Sequence, residues 1–216
     1  MISANSAQKQ NCKCRGASLV VAAFFVSACA STGPSSTPAH IEIQEAVGFT
    51  ITEKAHISNN VRTEYEDALA LIEQGNPDQG VAKLEAVVEA APHLSAPSID
   101  LGVAYHRAGN LEAAETNLLL ALEANPNHPI AHNELGIVYR KVGRFAEARQ
   151  SYEAALEIYP GYHYARRNLA VLCDLYLADL NCALDNYEAY MATVPGDEEA
   201  SIWIADIRMR MGQSEE

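Results

Sequence analysis

The chain has 216 residues, a length that allows one or two globular domains, and 49% of its residues are hydrophobic. It carries 28 acidic against 15 basic residues, which gives a formal net charge of -13 at pH 7. An acidic surface repels phosphate groups, and this argues against a nucleic-acid partner. Valine and isoleucine do not form alternating runs through the middle of the chain, so the composition does not predict a sheet protein.

The first residues have the features of an export signal. Lys9, Lys13 and Arg15 form a basic stretch, and the apolar segment 17–26 follows it. That segment is too short to span a bilayer comfortably, and its length is typical of a signal-peptide core. Residues 26–29 read Val-Ser-Ala-Cys and resemble a bacterial lipobox. In proteins with that motif, cleavage precedes the cysteine, and the cysteine carries acyl chains that anchor the protein to a membrane.

The lipobox resemblance implies a signal peptide at residues 1–28 and lipidation of Cys29. The other interpretation is an ordinary cleaved signal peptide with an incidental cysteine. Ala30 stands where an aspartate would resemble the inner-membrane retention signal. The resemblance therefore implies an outer-membrane anchor that faces the periplasm. Residues 29–40 are rich in Ser, Thr and Pro and predict a flexible tether.

Residues 41–60 leave two interpretations open. Apolar residues that partly alternate, among them Ile41, Ile43 and Ile51, are compatible with a short extended piece against the first helix. The segment could equally lack order until a partner binds. The sequence therefore predicts an N-terminal extension of uncertain structure here.

Glycine and proline recur at a period of 34 residues, which is the signature of a repeat protein. The glycines are Gly75, Gly109 and Gly143, and the prolines are Pro92, Pro126 and Pro160. The pair Leu-Gly at 101–102 recurs at 135–136, and Tyr105 recurs as Tyr139. Each unit predicts two helices, because a glycine suits the end of the first helix and a proline ends the second.

This pattern resembles the tetratricopeptide repeat. The resemblance implies an all-α, right-handed solenoid of about four helix-turn-helix repeats with a C-terminal capping helix. We expect the repeats at 61–94, 95–128, 129–162 and 163–197, and the capping helix with its tail at 198–216. The capping helix is expected to solvate the end of the stack.

The fourth repeat departs from the family pattern. Cys173 replaces the tyrosine, and the link at 177–181 lacks the glycine and is one residue longer. Cys173 and Cys182 lie on opposite helices near this turn, within reach of a disulfide. An exported protein meets an oxidising compartment, which favours the disulfide, and the alternative is two buried thiols.

The family resemblance implies a concave groove lined by the first helix of each repeat. The candidate groove residues are Tyr65, Ile99, Val103, His106, Arg107, Asn133, Ile137, Arg140, Lys141, Tyr164, Arg167 and Val171. Basic residues are frequent among them although the protein is acidic. This pattern favours an extended partner segment with an acidic residue or a free carboxylate. The alternative is that these bases only pair with the surrounding acids.

We find no catalytic motif, and we expect neither enzyme activity nor a cofactor. His128, His132 and His163 could suggest a metal site, but His132 occupies a position that relatives fill with a large aromatic residue. The sequence therefore predicts no metal site.

The function expected from these features is that of a membrane-anchored scaffold for protein partners. The protein would help to assemble or hold a multiprotein complex of the cell envelope. Two alternatives stay open: a pilotin-like or chaperone role for an outer-membrane client, and an adaptor role for a peptidoglycan enzyme.

Overall fold

The fold was analysed in a computed structural model that describes residues 40–44, 50–54 and 57–212, with side chains in the last range. The predicted signal peptide at 1–28, the predicted lipidation site Cys29 and the tether up to residue 39 lie outside the described residues.

Part of the N-terminal extension forms a β-hairpin. Strand β1 (His40–Gln44) pairs antiparallel with strand β2 (Thr50–Lys54), and Ile43 stands opposite Ile51. The first strand therefore begins at the last residue of the predicted tether. The partial alternation of apolar residues in this segment has the period of a strand.

Nine helices form the remainder of the part of the chain that the structure describes. They are α1 (Asn59–Glu73), α2 (Pro77–Ala90), α3 (Ser95–Arg107), α4 (Leu111–Ala124), α5 (Pro129–Lys141), α6 (Phe145–Ile158), α7 (His163–Leu175), α8 (Leu180–Thr193) and α9 (Glu198–Arg210). Each odd-numbered helix up to α7 packs on the helix that follows it, and successive pairs stack. The prediction of an all-α solenoid is confirmed for this helical part. None of the described helices has the length and apolar character needed to cross a membrane.

Local sequence signals end the first helix of a pair and begin the second. Gly109 and Gly143 follow α3 and α5 with φ of +81° and +80°, the left-handed conformation that glycine adopts at least cost. The side chain of Asn110 then accepts a hydrogen bond of 3.2 Å from the Ala113 amide and caps α4. Ser58 caps α1 in the same way, accepting from the Val61 amide, so this helix begins two residues before the predicted repeat.

A small residue in the first helix lets the two helices of a pair approach closely. A Cβ at Gly102 would lie 2.7 Å from Cγ of Leu118, and one at Gly136 would lie 2.5 Å from Cε1 of Tyr152. Both opposing side chains are fully buried. The backbone of the first helix thus packs against the largest buried side chain of the second helix.

The turn of the fourth pair is built differently. Ala178 takes the left-handed conformation there, with φ of +52°, and such a conformation costs a residue with a Cβ on the order of 1–2 kcal/mol. Cys173 and Cys182 form a disulfide across this turn, with Cα atoms 5.9 Å apart. Asp179 caps α8 by accepting a hydrogen bond from the Cys182 amide. The covalent bond and the cap hold the two helices together where the glycine is missing.

The close contact at Gly136 predicts an unusual response to a helix-favouring substitution. Gly→Ala inside a helix normally stabilises it by about 1 kcal/mol. We expect Gly136→Ala instead to lower the free energy of unfolding by about 1–3 kcal/mol, because the added methyl group overlaps the Tyr152 ring. The measurement is urea unfolding followed by circular dichroism. An unfolding midpoint above that of the wild type would contradict this packing.

The disulfide should make stability depend on the redox state. A bridge that closes the short loop 173–182 is expected to add roughly 2–3 kcal/mol to the free energy of unfolding. Reduction with dithiothreitol should therefore lower the melting temperature of the wild-type protein. The variant Cys173→Ser/Cys182→Ser should melt at the lower temperature with or without reductant. Equal melting temperatures for oxidised wild type and the double variant would argue that the bridge does not stabilise the fold.

Candidate functional site: a basic cluster on the first helices

The first helices of the repeats lie side by side and are joined by polar contacts. The Tyr65 hydroxyl on α1 donates to the Asp100 carboxylate on α3. The Asn168 side-chain amide on α7 donates to the Asn133 side-chain oxygen on α5 over 2.9 Å. These contacts join α1 to α3 and α5 to α7, and α3 packs beside α5.

The apolar groove residues from the sequence prediction, together with Asn133, fall into two classes. Ile99 and Asn133 are only 5% and 2% exposed, so they support the surface from beneath and a ligand cannot reach them as the helices stand. Val103, Ile137 and Val171 are half-buried and pack against the core. The groove therefore exposes less apolar surface than expected from the number of apolar residues predicted to line it.

Three cations gather at the ends of α3 and α5. Arg107 lies in the last turn of α3, and Arg140 and Lys141 lie in the last turn of α5. Arg107 and Lys141 are exposed, whereas Arg140 is half-buried. We call these three residues the basic cluster.

All three cations act on the imidazole of His106, which lies beside Arg107 on α3. Burial, and then the positive charges of Lys141, Arg107 and Arg140, hold the pKa of the His106 imidazole below its ordinary value. Residues that are a repeat apart in sequence therefore share one electrostatic environment in the fold.

Most other cations of the described side chains pair with carboxylates, but the basic cluster does not. Side-chain nitrogens of Lys83, Arg144, Arg149, Arg167, Arg208 and Arg210 lie within 4.0 Å of a carboxylate oxygen. Within residues 57–212, no carboxylate oxygen lies that close to a side-chain nitrogen of Arg107, Arg140 or Lys141. Arg167 therefore fits the alternative prediction that groove bases only pair with surrounding acids, since it lies 3.5 Å from Glu199. The basic cluster does not fit that alternative.

Helix geometry offers a second explanation for cations at these positions. The last turn of a helix carries a partial negative charge, which favours a nearby cation by about 0.3–1 kcal/mol. This effect accounts for basic residues at the end of each helix separately. It does not require that the cations of two helices come together.

Arg140 is held among tyrosine side chains. Its Nε and the Tyr152 hydroxyl oxygen are both buried, and neither makes a hydrogen bond of good geometry to a described residue. Burial lowers the pKa of the Arg140 guanidinium, and its interactions with the Tyr152 and Tyr176 hydroxyls outweigh that effect. The guanidinium carbon lies 5.8 Å from the centre of the Tyr176 ring, which packs at 4.9 Å from the ring of Phe145.

Two carboxyl groups near the basic cluster are partly withdrawn from water. Burial raises the pKa of both Asp100 and Glu134, and the charge of Arg107 acts in the opposite direction on each of them. Asp100 accepts from Tyr65, and Glu134 accepts from Asn133 over 3.1 Å. Their hydrogen bonds are thus made to neutral side chains.

The fourth repeat does not add a free cation to this surface. The Arg167 guanidinium lies over the Trp203 ring of α9, with its central carbon 5.0 Å from the ring centre, in addition to its ion pair with Glu199. Tyr164 is 55% exposed and has the His163 ring 4.1 Å away. The predicted groove residues of α7 therefore contribute mainly aromatic and apolar surface.

Within the described residues, one group of side chains has the spacing of metal ligands, Cys173, Asp179 and Cys182. Both sulfur atoms are used in the disulfide, so the group cannot bind a metal in this state. Nε2 of His132 lies 2.9 Å from the carbonyl oxygen of Pro126, which gives this histidine a local structural role.

Sequence reasoning missed Tyr176 and Phe145 as parts of this site. Phe145 begins the second helix α6, and Tyr176 follows the end of α7, so neither occupies a groove position of a first helix. The signal in the sequence that could have identified them is an aromatic residue at the start of a second helix and another just after a first helix.

The electrostatic origin of the lowered His106 pKa can be tested directly. Because two exposed cations contribute to it, the variant Arg107→Gln/Lys141→Gln should raise the His106 pKa toward its ordinary value. An NMR titration of the imidazole resonances measures this change. The control Lys83→Gln/Arg208→Gln removes the same charge elsewhere and should leave the His106 pKa at its wild-type value. Equal titrations in both variants would mean that the cations do not converge on His106.

Comparison with known proteins agrees with the repeat pattern. Residues 65–129 and 99–163 match the tetratricopeptide repeat family. No curated protein sequence matches the chain. Among solved structures, MamA 41-end from Desulfovibrio magneticus RS-1 is 17% identical with a TM-score of 0.65, and the match covers 73% of this chain and 89% of that chain.

Two further structures share the fold. TTC0263, a thermophilic TPR protein of Thermus thermophilus, is 23% identical with a TM-score of 0.58, over 70% of this chain and 82% of that one. The first TPR of Spaghetti (RPAP3), bound to the HSP90 peptide SRMEEVD, is 19% identical with a TM-score of 0.52, over 55% of this chain and 95% of that one. The sequence match covers residues 65–163, and the shared fold confirms the predicted fold class: the helices form an all-α solenoid of the tetratricopeptide-repeat type.

Proposed function

We propose that this protein is an interaction scaffold that binds an extended, acidic segment of a protein partner at the basic cluster. The observation that carries the proposal is the convergence of Arg107, Arg140 and Lys141 on one surface without a carboxylate partner among the described residues. A partner carboxylate would form charge-assisted hydrogen bonds with these side chains, and these are stronger than bonds between neutral groups.

The charge of the whole chain strengthens this argument. The protein has a net charge of -13, so it repels most acidic ligands at long range. A local basic surface on such a protein selects a ligand that carries its acidic residues at the right place.

The ring pair Phe145–Tyr176 supplies an apolar contact beside the cations. A segment with an apolar side chain next to an acidic one would bury the first against these rings while the second meets the basic cluster. A fold neighbour offers a parallel, since the first TPR of Spaghetti is bound to the peptide SRMEEVD, which has three acidic residues.

For the cellular setting, we propose that Cys29 is lipidated and that the protein is held at the outer membrane, facing the periplasm, where it helps to assemble or hold an envelope complex. The lipobox-like segment 26–29 supports the anchor. The disulfide between Cys173 and Cys182 supports an oxidising compartment such as the periplasm, because thiols stay reduced in the cytosol.

Affinity capture from detergent-solubilised membranes tests this proposal. The full-length protein should be found in the membrane fraction and should retain specific partner proteins. The variant Arg107→Glu/Lys141→Glu should lose them, because it replaces two exposed attractive charges by repulsive ones. Binding should also weaken as salt is raised.

A control variant separates site effects from a general change of charge. Lys83→Glu/Arg208→Glu makes the same change in net charge at two positions outside the basic cluster and should retain the partners. Circular dichroism must show that both variants fold. Retention of the same partners by the Arg107→Glu/Lys141→Glu variant would place binding on another surface, and absence of the protein from membranes would contradict the anchor.

A further inference from the structure

The turn of the fourth helix pair brings three side chains with metal-binding atoms together. Sγ of Cys173, Sγ of Cys182 and one carboxylate oxygen of Asp179 all lie within 4.8 Å of one another. Thiolate sulfur and carboxylate oxygen are both ligands of zinc in proteins. Because the two sulfurs are joined in the oxidised protein, the ability of this group to bind a metal depends on its redox state.

The backbone holds the two cysteines at a separation that suits a metal as well as a disulfide. Their Cα atoms are 5.9 Å apart. Two sulfurs that each lie 2.3 Å from one tetrahedral zinc ion are roughly 3.8 Å from each other. Rotation about the Cα–Cβ bonds gives the free thiols this separation while the helices stay in place. The Asp179 amide donates to the Cys173 carbonyl over 2.9 Å, which ties the third side chain to the first.

The carboxylate of Asp179 is oriented by two hydrogen bonds. Its Oδ1 accepts from the Cys182 amide and its Oδ2 from the Arg149 guanidinium, each over 3.1 Å. A carboxylate has about four acceptor sites, so both oxygens keep a lone pair for a metal. Metal-binding carboxylates in proteins carry outer hydrogen bonds of this kind. The corresponding cap of α4 is the neutral Asn110, so capping by itself does not need an anion here.

The surroundings of Cys182 favour a thiolate. Cys182 is the third residue of α8, and the N-terminus of a helix carries a partial positive charge. The side-chain amide of Asn186 also donates to Sγ of Cys182 over 3.7 Å. Both features stabilise negative charge on this sulfur, and the thiolate is the form of cysteine that binds metals.

Burial and charge complete the site. Cys173 is fully buried, whereas Cys182 and Asp179 are half-buried, so one side of the group is closed and the other is open to water. The open side gives an ion its entry path and a water molecule as fourth ligand. A zinc ion with two thiolates and one carboxylate has a net charge of about -1, and the neighbouring Arg149 offsets it.

We propose that the reduced form of this turn binds one zinc ion through Cys173, Asp179 and Cys182. A dithiol reductant transfers two electrons and two protons to the disulfide, which becomes two thiols, and the reductant becomes a disulfide. Zinc binding then releases both thiol protons. The ion replaces the covalent bond between α7 and α8, so the turn is cross-linked in both redox states. This site is independent of the proposed partner function, because the basic cluster takes no part in it.

Zinc titration of the reduced protein tests the proposal. The full-length protein is purified from membranes in detergent, reduced with a phosphine under nitrogen and titrated with Zn²⁺ in a calorimeter. It should bind one more zinc ion per chain than the variant Cys173→Ser/Cys182→Ser, which keeps the other cysteines of the sequence. Zinc should also raise the melting temperature of the reduced wild type and leave that of the variant unchanged.

The third ligand is tested by Asp179→Asn. Asparagine caps a helix as well as aspartate does, so this variant should keep the turn while it loses the anionic ligand. We expect at least about a tenfold rise in the dissociation constant for zinc. Glu153→Gln is the matched control, because Glu153 also pairs with Arg149, at 2.8 Å, but lies outside the group. This control should bind zinc as the wild type does.

The oxidised wild type is a second reference, since it has the native turn but no free thiol at either position. It should bind as little zinc as the double serine variant, which keeps the test decisive even where that variant folds poorly. Equal zinc binding by the reduced and the oxidised wild type would overturn the proposal. Binding by Asp179→Asn with wild-type affinity would equally overturn the assigned set of ligands.

Discussion

Close contact between two helices at one small residue per repeat is the constraint on which the rest of this structure depends. The absence of a side chain at Gly102 and Gly136 lets α4 and α6 bring Leu118 and Tyr152 directly onto the backbone of α3 and α5. A larger residue would hold each pair apart and leave the buried alanines of the second helices without neighbours. The two middle pairs pack in this way, successive pairs stack, and α3, α5 and α7 become neighbours.

Stacking of the helix pairs brings basic residues at the ends of separate first helices to one surface. Arg107 ends one first helix, and Arg140 and Lys141 end the next, so the same helix-end preference that suits each helix alone also gathers the three charges. Each of the three charges, after burial, lowers the pKa of the His106 imidazole, so all three lie near that side chain. The carboxylates that neutralise other cations lie elsewhere on the described surface, which leaves these three available to a partner. The proposed scaffold function therefore rests on the distribution of charge and not on its total.

The fourth pair and the last helix show how the array tolerates departures from its pattern. Ala178 occupies a conformation that suits glycine, and the Cys173–Cys182 bridge holds the helices on either side of it. Disulfides persist in oxidising compartments, so the bridge at this turn is compatible with the proposed export of the protein. Beyond it, α9 keeps the order of a first helix, with Ala205 at the position of Gly102 and Gly136 and with Gly212 after it in the left-handed conformation.

The sequence by itself determined the periodic part of this protein. The 34-residue spacing of glycines and prolines predicted the helix pairs, because those residues act locally on the backbone, and the position of Cys173 and Cys182 beside a turn made a bridge between them feasible. Tertiary structure alone decided which candidate groove residues are accessible. It buried Ile99 and Asn133, paired Arg167 with Glu199 and placed Tyr176 beside Arg140. Exposure and ion pairing depend on the neighbouring repeat, and a pattern of positions within one repeat carries no information about that neighbour's side chains.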